Sequence, residues 1–112
     1  MTTVFVHIVL TTFHSNATEQ VRDELQQKQA ALGEACGGRA AGILHWTSGW
    51  NLDQRKNYHL VILAVFEDEA AFRRYHAHSA HGKFALEMRE VADWIVGDIE
   101  ALSPFAPDIR AV

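Results

Sequence analysis

Apolar residues gather in four short runs, Val4 to Phe13, Ile43 to Gly49, Tyr58 to Phe66 and Trp94 to Ile99. Their β-branched and aromatic enrichment predicts strands. Between the first two runs, Val21, Leu25 and Leu32 recur at intervals of four and seven, with Glu, Gln, Arg and Lys among them. That spacing predicts an amphipathic helix from Thr18 to Leu32, with cap candidates in Ser15 to Thr18 and glycine stops at Gly33, Gly37 and Gly38. A polar loop, Asn51 to Asn57, is short enough to pair the second and third strands as an antiparallel hairpin. After Glu67, Asp68 and Glu69, the stretch Ala70 to Tyr75 reads as a short helix with acids at its N-terminus. Another helical piece runs from about Gly82 to Val91, with Phe84, Met88 and Val91 on one face. The segment from Ser103 to Pro107 marks an irregular tail, so residues 1–100 are read as one domain and 101–112 as a tail. The two halves mirror each other as βαβ-like units.

The order strand, helix, strand, strand, helix, strand predicts an α+β fold of the ferredoxin-like type, β-α-β-β-α-β, with a four-stranded antiparallel sheet and its helices on one face. Helices on one side leave the other side bare. Side chains alternate between faces, so Val4, Val6, Ile8 and Leu10 share one side of the first strand and Phe5, His7, Val9 and Thr11 the other. Neither is polar. The third strand divides into Val61, Leu63 and Val65 against Leu60, Ile62, Ala64 and Phe66. The fourth divides into Ile95 and Ile99 against Trp94, Val96 and Asp98. A solvated face would alternate with polar residues, so something covers the second face. The least demanding cover is a second copy of the same sheet. We therefore expect a homodimer, a dimeric α+β barrel, in which the sheets meet face to face and the face of His7 and Trp94 lines an internal ligand cavity.

Composition narrows the class. A chain of 112 residues, 48% hydrophobic, suits a single core. A net charge of -4 with scattered Lys and Arg gives no surface for tracking phosphates, so nucleic acid is not an expected partner. The first strand is too short to span a bilayer, and no membrane partner is expected. The single cysteine, Cys36, can close no intrachain disulfide and no zinc knuckle. It is expected to be a free thiol in a reducing, cytoplasmic setting.

The candidate chemistry lies in His7, the ionisable residue of an otherwise apolar first strand, and in Tyr75, His76, His78 and His81, which fall within seven residues. His76, His78 and His81 lack the i, i+4 spacing that puts metal ligands on one helix face, and neither a metal nor another cofactor, haem included, is expected. Trp46 and Trp50 are expected to pack at the hairpin or at the dimer interface.

Three fragments carry a family resemblance: Val6 to Leu10 (VHIVL), Val65 to Glu69 (VFEDE) continuing to Tyr75 to His81 (YHAHSAH), and Asp93 to Asp98 (DWIVGD). In order and spacing the chain from about Val4 to Glu100 resembles the stress-responsive A/B barrel family, also called the dimeric α+β barrel family. Two departures stand out. Ser79 occupies a position where the family usually has proline, and the loop from Asn51 to Asn57 is shorter than is common. The best understood chemistry on this fold is that of a plant polyketide cyclase, which closes a linear tetraketide thioester by intramolecular aldol condensation without cofactor or metal.

By motif position the resemblance puts that enzyme's catalytic histidine and tyrosine on His81 and Tyr75, and its first-strand histidine on His7. It implies that His81 removes a proton α to a carbonyl, that Tyr75 orients the base or the carbonyl, and that His7 donates a hydrogen bond. An imidazole with its ordinary pKa of about 6.5 suits the first task. Val9, Ile62, Ala64, Trp94 and Val96 would line the pocket for an aromatic or aliphatic ligand. Three readings stand. One is a cofactor-independent cyclase or lyase-like enzyme acting on a carbonyl-containing metabolite. Another is a non-catalytic ligand-binding or stress-protective protein. The third is a domain whose cavity is filled by its own side chains.

Overall fold

The computed structural model describes residues 3–103. Its elements are β1 (Thr3–Phe13), α1 (Glu19–Ala35), a 3-10 turn (Gly38–Ala41), β2 (Ile43–Trp50), β3 (Leu60–Phe66), α2 (Glu69–Ala77), α3 (Ser79–Arg89) and β4 (Ala92–Leu102). The four strands form one antiparallel sheet in the order β2-β3-β1-β4, the ferredoxin-like arrangement. Of the expected tail, residues 104–112 lie outside the described residues.

Local chemistry sets the helix boundaries. The Thr18 hydroxyl accepts from the Val21 N–H at 3.2 Å and opens α1, and the Asp68 carboxylate accepts from the Ala71 N–H at 2.8 Å and opens α2. Gly33 does not end α1 as expected. A Cβ at this position would lie 2.7 Å from Trp46 Cγ, so the glycine lets helix and strand approach closely. The helix stops at Gly37, whose φ of 108° lies in the left-handed region. In the second half, α2 and α3 are longer than their periodicity predicts and meet at His78. That residue is extended (φ -65°, ψ 140°) and caps both helices, its Nδ1 accepting from the Ala80 N–H at 3.0 Å.

Strand register decides what faces the helices. On β1, His7 stands beside Ala64 and Asp98, Val9 beside Ile62 and Val96, and Thr11 beside Leu60 and Trp94. Val9, Ile62, Ala64 and Phe66 from this side pack with Leu32 and Cys36 of α1 and with Ala71 and Tyr75 of α2. Phe13, Leu25, Leu60, Met88 and Ala92 form a second cluster.

This overturns one expectation. The face of His7 and Trp94 does not lie between two sheets; the protomer's own helices cover it. Alternation reveals two apolar faces without saying which one the helices take. On the face left open, Val4, Val6 and Val65 are buried with Leu44, Leu63 and Ala101 around them, while Ile8, Ile95 and Ile99 are 37%, 51% and 57% exposed.

Candidate ligand pocket

A cavity of about 660 Å³ lies between the sheet and the helices, within the range that holds small organic ligands. A cavity of this size argues against the reading in which the protein's own side chains fill the space. His7, Val9, Ile62, Tyr75, His81, Trp94 and Val96 border it, seven of the eight residues singled out from sequence. Ala64 is not in its wall; it is wholly buried in the core behind.

Tyr75 arrives through helix periodicity. Ala71 and Tyr75, four apart, are the buried residues of α2, and the Tyr75 ring sits among Phe66 at 5.2 Å, Trp46 at 5.6 Å and His7 at 6.1 Å between centroids. His81 arrives through the break at His78, which starts α3 in a new direction. Within its first turn the His81 ring packs T-shaped with the Tyr75 ring, their centroids 4.8 Å apart. Ser79, in place of the proline usual in the family it resembles, is the first residue of α3. There the N–H needs no intrahelical partner, so serine builds the same turn.

Burial sets the charge state of both groups. It lowers the His81 pKa to about 4, aided by the nearby His76 and His7, and it pushes the Tyr75 phenol well above its ordinary value, with a smaller contribution from Cys36. At neutral pH the pair is a neutral imidazole that accepts and a neutral phenol that donates. The imidazole therefore titrates well below the ordinary value assumed from sequence. Cys36 is buried and its thiol is likewise pushed up.

His7 is 5% exposed, and its Nδ1–H donates to Asp98 Oδ1 at 2.5 Å. A carboxylate on Nδ1 fixes the ring orientation and places the other nitrogen's lone pair elsewhere. This partner follows from pairing β1 with β4, and the shared parity of His7 and Asp98 was its signal in the sequence. His76 also borders the cavity, with its ring centroid 4.8 Å from that of His81, while His78 serves as the cap. Gln29 in the wall was missed outright; its signal is a polar residue at the gap in the stripe of Leu25 and Leu32. Among the described residues, no group of three or more His, Cys, Asp or Glu is placed to hold a metal ion. No described helix is long and apolar enough to cross a membrane.

A sequence model of the Stress Responsive A/B Barrel Domain matches residues 5–101. Solved structures share the fold at low identity. A dimeric ferredoxin-like protein of unknown function from Thermobifida fusca is 18% identical, with 91% of this chain and 93% of that chain covered and a TM-score of 0.77. A hydroxynitrile lyase from Passiflora edulis is 17% identical, with 92% and 97% covered and a TM-score of 0.74. A Dabb family protein with a ferredoxin-like fold from Mesorhizobium loti is 22% identical, with 90% and 99% covered and a TM-score of 0.67. No curated protein matches the chain.

Proposed function

Because the chain belongs to the stress-responsive A/B barrel domain family, we propose that its pocket binds a small, largely apolar carbonyl compound and that His81 and Tyr75 act on it without a cofactor. The observation that carries this reading is the contact of the two rings, their centroids 4.8 Å apart, in the wall of a largely apolar cavity. A carbonyl oxygen needs a donor, and the protonated Tyr75 phenol is one. A carbon acid beside that carbonyl needs a base, and the neutral His81 imidazole is one. The step removes a proton from the α carbon to His81 while the Tyr75 O–H steadies the enolate oxygen; the Nδ1–H of His7 is already given to Asp98. The enolate then attacks a second carbonyl of the same molecule, as in an intramolecular aldol closure, and the alkoxide so formed takes the proton back from His81. A base of pKa about 4 supplies little driving force by itself, so stabilisation of the enolate in a site that excludes water must supply the rest.

That same weak basicity favours a second reading, in which His81 only accepts a hydrogen bond and the protein binds without turnover. Proton exchange separates the two. Wild-type protein in D2O should speed α-deuteration of acetophenone, followed by NMR. His81→Ala should lower that acceleration by about a hundredfold or more, and Tyr75→Phe should lower it as well. Binding of acetophenone without faster exchange would establish the second reading, and no binding would sink both.

The proposal extends to the assembly. The open sheet face with Ile8, Ile95 and Ile99 supports a homodimer, as does the dimeric state named for the Thermobifida fusca structure. A lone buried thiol at Cys36 supports a reducing, cytoplasmic setting.

A further inference from the structure

Gln29 is 1% exposed, and its side-chain Nε2 has no hydrogen-bond partner. Buried amide donors without partners are exceptions in folded proteins, because the group loses water and gains nothing in return. Periodicity makes the residue stand out further. Gln29 lies on the buried stripe of α1 between Leu25 and Leu32, where an apolar side chain would complete the packing. The fold does draw on this position, since Trp46 Nε1–H donates to the Gln29 backbone oxygen at 3.0 Å. Any residue at position 29 would offer that oxygen, so the contact does not call for an amide side chain.

Gln29 also joins the wall of the cavity from α1, while Tyr75 and His81 enter from α2 and α3. The other buried polar side-chain atom without a partner among the described residues, Ser48 Oγ, belongs to a residue outside this wall.

We propose that Gln29 is a specificity-determining residue, its amide hydrogen-bonding a second oxygen of the ligand, a hydroxyl or carbonyl apart from the one that Tyr75 and His81 engage. This rests on the pocket reading above and narrows it: the ligand is a carbonyl compound with a further neutral oxygen, joined by an apolar body that Val9, Ile62 and Trp94 enclose. The amide donates through Nε2 and, turned by half a rotation about its last bond, accepts through Oε1, so a hydroxyl suits it in either orientation.

The probes are acetophenone and its 3′-hydroxy and 4′-hydroxy derivatives, titrated into the purified protein with affinity and the Gln29 side-chain NH2 resonances read by NMR. One hydroxylated probe should bind wild type about five- to tenfold more tightly than acetophenone, the effect of one net hydrogen bond, and should shift the Gln29 NH2 signal where acetophenone does not. In Gln29→Met that advantage should disappear with acetophenone affinity kept. The ligand-free variant should melt no lower than wild type, because no satisfied amide has been removed.

An advantage that survives in Gln29→Met, or a Gln29 signal unmoved by every probe, overturns the assignment while leaving the pocket reading standing. So does a clear fall in melting temperature, which would mean that the amide serves the fold. Failure of all three probes to bind wild type overturns the pocket reading and this one together.

Discussion

Across the β1–β4 pairing the Nδ1–H of the buried His7 ring donates a hydrogen bond to Asp98, whose side chain is one-third exposed. Replacing Asp98 with alanine leaves that N–H without a partner, which costs about 1–3 kcal/mol. Asparagine keeps an acceptor oxygen, so Asp98→Asn should lose much less in urea denaturation; equal losses would show that the geometry of this bond is not what stabilises His7. His81 makes a prediction of a different kind. Burial lowers its pKa from 6.5 to about 4, so the unfolded chain binds the proton more readily. Stability from this group is therefore fully present above about pH 6.5, declines as pH falls toward about 4, and changes no further below that. Any exchange activity should follow the same ring, holding through pH 5 and failing near 4, and an NMR titration of the ring should report the same midpoint. A midpoint near 6.5 would place the imidazole in water and remove it from the pocket. Of these residues the sequence exposed the histidines and the tyrosine as chemistry-bearing types in apolar surroundings. Asp98 and Gln29 stayed hidden, because one depends on which strands pair and the other on a missing partner.

Strands and α1 were legible because alternation and the helical repeat are written into consecutive residues. The join between α2 and α3 was not, since it depends on the backbone of a single residue. His78 breaks the helix with φ -65° and ψ 140°, the conformation a residue takes before proline. Ser79 then begins α3 at the position where proline's missing N–H does no harm. Both observations say that the turn is preset for proline and that serine occupies it at an entropic disadvantage. Ser79→Pro should therefore stabilise the protein by about 0.4–1 kcal/mol, with the contact of Tyr75 and His81 retained. Thermal melts and the unchanged His81 titration would check it, and a destabilised variant would mean that the serine supports the pocket wall it borders. Gly33 gives the opposite lesson. As a residue type it reads as a stop, yet it lies within α1 because Trp46 needs the space, and contact across elements cannot be read from one stretch of chain.

At the scale of the molecule, the sheet separates two roles by its two faces. Its helix-covered side holds the pocket, lined by residues of this chain, and its open side holds Ile8, Ile95 and Ile99. Placing His7 and Trp94 on the face to be covered by a second copy exchanged the roles, since both faces are apolar and only packing with α1 and α2 distinguishes them. The exchange changes what a mutation should do. If the cavity lay between two sheets, separating the protomers would open it and abolish binding. With the cavity inside each protomer, Ile99→Asp should place a charge on the open face, where burial against a second sheet is costly, and should convert a dimer seen by native mass spectrometry into a monomer. Acetophenone binding should persist in that monomer within about a few-fold, because Ile99 belongs to the face opposite His7. Loss of binding together with the dimer would show that the partner completes the pocket; a wild-type monomer would mean that the open face is covered by something other than a second copy.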